Sequence, residues 1–247
     1  MAVLLEVTDA AVGVLTLSSP TRLNALTGPD VAELGDMFRS AEIRSLRGLV
    51  VRGDGRGFSA GADLDGLVEL RAMSHAERVD TLRVWFAATR ELIRFPAPTV
   101  ALVHGACVGM AASVALACDR VVTTNSAKWG FVFTAIGLPG SDTLCHWLLS
   151  RRIGTRRTWS LLSEAATISG QEAAAIGIAD SCAEHLPSVS DLSWPQTDRS
   201  AVHETKSHIL ELEGAYGPLD DQIERILPAV ATAVGSPALG ERVAPAQ

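Results

Sequence analysis

Three stretches of the chain carry residue types whose spacing can support chemistry. The first is RGDGRGFSAGADL, from Arg52 to Leu64. Within it Gly57-Phe58-Ser59-Ala60-Gly61 matches G-x-S-x-G, the turn that presents a nucleophilic serine. That turn needs a strand running straight into the serine, whereas GDGRG separates Arg52 from Phe58 here. Gly53, Gly55 and Gly57 also miss the G-x-G-x-x-G spacing of a dinucleotide loop. The other reading is that the loop supplies backbone, its small residues letting a ligand lie against unpaired N–H groups. The second stretch, CVGMAASVALACD (Cys107 to Asp119), has no charged side chain before Asp119. A Gly turn opening a helix leaves its first N–H groups without partners and favours negative charge there. Together the two turns would form a pair of converging backbone donors, an oxyanion hole; either alone reads equally as a tight turn. The third stretch is GLPGSDTLCHW, in which Asp142 is the only acid between Asp119 and Glu164. It reads either as a helix N-cap or as a proton-transfer group. An apolar setting of Trp129, Phe131 and Phe133 would raise its pKa, and His146, four residues on, would share its helix face.

Length and composition bound these readings. The 247 residues suit one large domain or two small ones. A net charge of -7 argues against general nucleic-acid binding. The cluster Arg151, Arg152, Arg156 and Arg157 reads as a solvated helix face or a contact for a small phosphorylated ligand. Cys107, Cys118, Cys145 and Cys182 show no metal-ligand or pairing pattern, which suits a reducing cytoplasm. The N-terminus carries no signal-peptide pattern. Val100 to Cys118 is nearly uncharged, but His104, Pro96 and Pro98 and the small residues split it into a strand, a turn and a short helix rather than a membrane span.

The elements that must position these residues follow from periodicity. Residues 3–8 and 12–17 read as a β-hairpin. TGPDVAELGDMFRSAEI is an amphipathic helix with Pro29 in its first turn. LRGLVVRG is a strand buried on both faces. Ser74 and Glu77 form a capping box before a helix burying Leu82, Trp85, Thr89 and Leu92. The strand PTVALVHG, the helix MAASVALAC and the strand RVVTT follow, and a second capping box, Ser169 to Glu172, opens a helix ending near Gly177. Residues 185–202 read as a polar loop, and 204–234 as helical with a break around Gly214 to Pro218. The alternation of strands and helices makes the class α/β.

In combination, NALT (24–27), GFSAGADL (57–64), HGACVGMAASVALACD (104–119) and SGQEAAAIGIAD (169–180) resemble the enoyl-CoA hydratase/isomerase, or crotonase, family. The resemblance covers about residues 1–182, a spiral core, and leaves 183–247 as an atypical C-terminal loop and helical region. It implies a crotonase-like spiral of β-β-α units that binds acyl-CoA thioesters as a homotrimer or dimer of trimers. Coenzyme A would arrive on the substrate, with no other cofactor and no metal. By position the oxyanion donors would be the N–H groups of Ala62 and Met110, beside Gly61 and Gly109. Adenine and pantetheine contacts would fall near Arg22, Ala25, Leu26, Ala60, Asp63 and Leu64. The family usually has Gly where Met110 stands; a main-chain donor admits Met, which crowds the pocket.

The departures bear on the reaction. The two glutamates of a typical hydratase correspond to Ser113 and Phe133, so the usual acid/base pair for adding water is absent. Asp142 is then the only candidate acid/base group, as in relatives that carry an acid in this loop, including a dehalogenase branch that uses it as a nucleophile. Three outcomes stay open: an isomerase or hydratase-like enzyme, a non-catalytic acyl-CoA binder, and a hydrolase using Ser59.

Overall fold

The computed structural model describes residues 2–211 and 218–243. It opens with the expected antiparallel hairpin of β1 (Ala2–Val7) and β2 (Val12–Ser18), paired from Ala2↔Ser18 to Val7↔Gly13. Helix α1 (Gly28–Arg39) starts at Thr27, whose hydroxyl accepts from the Asp30 N–H while Asp30 accepts from Thr27 in return. The short α2 (Ala41–Arg44) leads to β3 (Gly48–Gly53), and α3 (Leu64–Ala72) precedes α4 (His75–Ile93). The Ser74–Glu77 capping box forms as read, and α4 buries Leu82, Trp85, Thr89 and Leu92. Its stabilisation is of the usual kind, with two orphan N–H groups satisfied reciprocally.

From there the chain winds in repeated units. β4 (Thr99–Val103), β5 (Ala106–Val108) and α5 (Met110–Ala117) make one β-β-α unit. β6 (Arg120–Thr124), β7 (Lys128–Gly130) and α6 (Cys145–Ser163) make the next. Then come β8 (Thr167–Ser169), α7 (Gly170–Ala175) and β9 (Ser181–Ala183), followed by α8 (Arg199–Glu211), α9 (Leu219–Val234) and α10 (Pro237–Val243). The large sheet has the order β1-β2-β3-β4-β6-β9 and is parallel after the hairpin; the small one has the order β5-β7-β8. First strands of successive units therefore build one layer and second strands the other. Two single-residue parallel bridges, Leu26↔Ala62 and Ser59↔Cys107, carry the small layer back to the earlier units.

β3 and β4 are lined by buried Leu49, Val50, Val51, Val100, Ala101, Leu102 and Val103, as expected for parallel strands covered on both faces. The core continues through α1, α4 and α5 to α9, which lies against α4 and buries Ile223, Leu227, Val230 and Val234. Two sequence expectations need correction. Residues 185–202 are not all loop, since a 3-10 turn spans Val189–Asp191 and α8 begins at Arg199. The strands β5, β7 and β8 have three residues each, too few for a period-two signal, and were not foreseen. The expected break at Gly214 to Pro218 falls almost wholly outside the described residues.

Candidate functional site

The first wall of the site is the loop after β3. Asn24, fully buried and in a left-handed conformation (φ 57°), donates from Nδ2 to the carbonyls of Asp54, Gly57 and Phe58. Its Oδ1 accepts from the Ser19 N–H at 2.7 Å. One side chain thus fixes the turn leading into Ser59. Ser59 is itself fully buried, donating to Asn24 O at 2.7 Å and accepting from the Gly61 N–H at 3.0 Å. Both hydroxyl functions serve the turn, and among the described residues no histidine hydrogen-bonds it, so the structure does not place Ser59 as a nucleophile. The match to G-x-S-x-G is a match in spelling alone.

The chain then runs Leu26 N–H to Gly61 O (2.8 Å) and Asp63 N–H to Leu26 O (2.8 Å), passing over Ala62. Among the described residues the Ala62 N–H has no acceptor. The second wall is the turn from β5 to α5. Gly109 (φ 56°, ψ -119°) adopts a conformation reserved for glycine, and its N–H is held by Gly130 O at 2.8 Å. That turn leaves Met110 as the first residue of α5, where its N–H lacks an intrahelical partner. The two walls touch: a Cβ placed on Gly61 would lie 3.3 Å from Met110 N and 2.3 Å from Val108 O. Two unpaired N–H groups on adjacent passes of the small layer, one at the positive end of a wholly buried helix, suit a developing negative charge. The Met110 side chain turns inward to an apolar void shared with Leu26, Trp85 and Val114.

Asp142 lies in a 3-10 turn (Asp142–Leu144) before α6, and it is not an N-cap. The α6 cap position is Leu144, and no side chain caps the helix. Thr143 (φ 48°) and Leu144 (φ 66°) are consecutive left-handed residues, uncommon for side chains of this kind. They also break the i,i+4 geometry assumed for Asp142 and His146. The two make no hydrogen bond, the His146 backbone N–H donates to Gly140 O, its Nδ1 has no partner among the described residues, and burial together with Arg225 pushes the imidazole pKa down. The turn packs against α4, α5, α6 and α9. Asp142 is buried and, among the described residues, its Oδ1 has no hydrogen-bond partner. Desolvation raises its pKa to about 7, with the Thr143 N–H opposing the rise. Beside it Ser113 Oγ and Thr143 Oγ1, both fully buried, share a hydrogen bond of 2.8 Å.

This carboxyl sets a pH dependence of stability. Its folded pKa lies above the ordinary value of 3.8, so the folded chain binds more protons between those limits. The group's contribution is therefore full below about pH 4 and is lost as pH rises through about 7. Urea unfolding of Asp142→Asn beside wild type checks this. The variant is expected to gain relative stability between pH 5 and pH 8, on the order of a few kcal/mol at ~1.4 kcal/mol per unit.

The remaining expected residues divide into exposed and internal. Arg22 pairs with Asp63, which also accepts from the Gly66 N–H as N-cap of α3. Leu64 is exposed, while Ala25 and Ala60 are half-buried. Leu26 is fully buried, with its N–H and C=O both committed, so its part is to hold the Ala62 turn and not to meet a ligand by its side chain. Arg22 and Asp63 line a cavity of about 720 Å³ reaching Met73, Val84 and Trp85. Phe133 is buried, its ring 4.0 Å from where a Gly109 Cβ would lie. Trp129 and Phe131 belong to the core, and the elements packed on the Asp142 turn are helices. Arg152 is spent on Cys118 O, Ile178 O and Asp180, and Arg151 stacks 4.4 Å over Trp147, so neither reads as a phosphate contact. Asn24 and Thr143 stand inside quoted stretches, NALT and GLPGSDTLCHW, but nothing in the sequence gives either a role of its own. Their roles depend on left-handed backbone and on partners about thirty residues away.

The family described as Enoyl-CoA hydratase/isomerase matches residues 7–189. The chain belongs to that family. A 1,2-epoxyphenylacetyl-CoA isomerase of Escherichia coli (strain K12) is 31% identical over 175 residues, covering 70% of this chain and 66% of the relative. An ethylmalonyl-CoA decarboxylase of Gallus gallus is 29% identical over 174 residues, 69% of this chain and 57% of its own length. The match thus spans just under two thirds or less of these relatives. Over 98% of both chains the fold follows an enoyl-CoA hydratase/isomerase from Mycobacterium paratuberculosis, with a TM-score of 0.83 at 24% identity. A Thermobifida fusca YX chain solved in complex with CoA aligns over 94% of this chain and 93% of its own, with a TM-score of 0.74 and 25% identity. The hydratase/isomerase family, to judge by these relatives' names, spans isomerase and decarboxylase chemistry on CoA thioesters. Among the described residues no helix is long and apolar enough to cross a membrane.

Proposed function

We propose that this hydratase/isomerase-family chain binds an acyl-CoA thioester, holds its enolate oxygen between the N–H groups of Ala62 and Met110, and moves a proton with Asp142. The observation that carries the reading is the buried Asp142 carboxyl, its Oδ1 without a hydrogen-bond partner among the described residues, poised near neutral pH beside the helix that supplies one donor. A general acid/base works best with a pKa near the working pH. One carboxyl suffices for an isomerisation, taking a proton from one carbon of the enolate system and returning it to another. Addition of water in the usual manner employs two, and Ser113 and Phe133 stand where the family's pair would be. Coenzyme A enters as part of the substrate, its adenine and pantetheine lying near Arg22, Ala25, Ala60, Asp63 and Leu64, and no separate cofactor or metal takes part. The setting is cytoplasmic.

A second reading, an acyl-CoA binder without chemistry, is favoured by the Phe133 ring lying next to Gly109. Turnover of saturated, 2-enoyl, 3-enoyl and aryl CoA thioesters, followed by product mass, separates the two. Proton shift, water gain and thioester loss each leave a different mass or retention signature. Saturable binding with no conversion across the panel would establish the binder. Assembly as a homotrimer is part of the proposal; light scattering at micromolar concentration that finds only monomer refutes it.

A further inference from the structure

Ser113 sits where the two halves of the site meet. Its N–H donates to Gly109 O at 3.3 Å, the carbonyl of the turn that frees the Met110 N–H. Its hydroxyl bonds Thr143 Oγ1 at 2.8 Å, in the turn that carries Asp142. Met110 and Ser113 are three residues apart and share a face of α5. Both hydroxyls of the pair are fully buried, so water does not compete for them. Thr143 is β-branched and left-handed, and Leu144 after it is left-handed too. Such backbone persists only where its surroundings over-determine it, and the Ser113 hydroxyl is the side-chain tie that meets Thr143.

We infer that Ser113 is a positioning residue: through Thr143 it keeps the turn left-handed and aims the Asp142 carboxyl into a buried place in register with the Met110 N–H. The inference rests on the proposed role of Asp142 for its catalytic meaning, and on geometry alone for the positioning. No ion pair reaches Asp142 from α4, α5, α6 or α9 among the described residues. Cys145 of α6 feels its charge, and His146 of α6 faces Arg225 of α9 instead. With no counter-charge to steer the carboxyl, its setting depends on the shape of the turn.

The test is a set of five variants, one of them for assignment, read in two ways. The first readout needs no substrate: titration of the Asp142 carboxyl by carbon-13 NMR, its signal assigned by loss in Asp142→Asn. Ser113→Ala and the near-isosteric Thr143→Val should each let the turn relax and the carboxyl hydrate, lowering its midpoint by about one unit towards the ordinary range. Thr143→Ser should keep the wild-type midpoint. Ser113→Ala combined with Thr143→Gly should recover it, because glycine holds a left-handed conformation unaided. The second readout is turnover of whichever thioester the wild type converts. Ser113→Ala should lower kcat by about 10²-fold with little change in KM, the usual consequence of a misplaced reacting group. A midpoint unmoved in both Ser113→Ala and Thr143→Val overturns the inference, even if the variants are less stable. So does failure of Thr143→Gly to recover it. A moved midpoint in a protein that converts no thioester keeps the positioning role and removes the catalytic reading.

Discussion

Asp142→Asn is expected to lower turnover of the chain's acyl-CoA substrate by about 10²–10⁴-fold, the usual contribution of a general acid/base group. The substitution keeps the shape of the side chain and removes only its capacity to exchange a proton. Among the described residues Asp142 makes no cap and no ion pair, and its Oδ1 has no partner, so asparagine breaks no tie that the carboxylate makes to another side chain there. Binding of the thioester should therefore survive, giving a loss confined to kcat. The wild-type profile should show one limb near pH 7. If Asp142 acts first as a base, the rate rises through that pH, since the ionised form is then the active one. Equal turnover of variant and wild type would remove Asp142 from the chemistry.

Gly61→Ala should part the two walls of the site. Gly61 is left-handed (φ 90°), and a Cβ there would lie 2.3 Å from Val108 O, a backbone atom with no rotamer to yield. Relief requires parting the loop that carries Ala62 from the turn that carries Met110. Displacing one such donor costs about 10²–10³-fold in rate. Gly154→Ala is the matched comparison. It too is left-handed (φ 76°), but a Cβ there meets nothing within 4 Å. It should weaken folding by ~1 kcal/mol or somewhat more through backbone strain and leave turnover unchanged. Comparable turnover in both variants would mean that the Ala62 and Met110 amides are not the oxyanion donors.

What the amino-acid sequence discloses here follows the range over which each device acts. The capping boxes at Ser74 and Ser169 were legible because their partners stand three residues apart. The strands β3 and β4 were legible because parallel strands covered on both faces leave unbroken apolar runs. β5, β7 and β8 were not, since three residues carry no period, and what makes them strands is the layer beside them. The same division holds in the site. The Gly turn before α5 and the loop at 59–62 could be read as open backbone because small residues announce it, and the Ala62 and Met110 N–H groups are without acceptors among the described residues. That Ser59 closes its own turn rested on Asn24, a partner 35 residues away. The expected pairing of Asp142 with His146 failed for a local reason, since the helical offset holds only on helical backbone and Thr143 and Leu144 are left-handed.

The Gly109 N–H is fastened to Gly130 O, so the turn before Met110 is hung from the unit that follows it in the spiral. The two amides proposed as donors are main chain, so on that proposal the side chains at 62 and 110 are bystanders to the charge. Residue 110 can therefore change in bulk, within what the void beside Leu26, Trp85 and Val114 admits, without altering the electrostatics of the hole. For a protein engineer this separates two dials. On the proposed function, bulk can be changed at 110 and acids at 113, 133 and 142, while the main-chain amides stay as the fold made them.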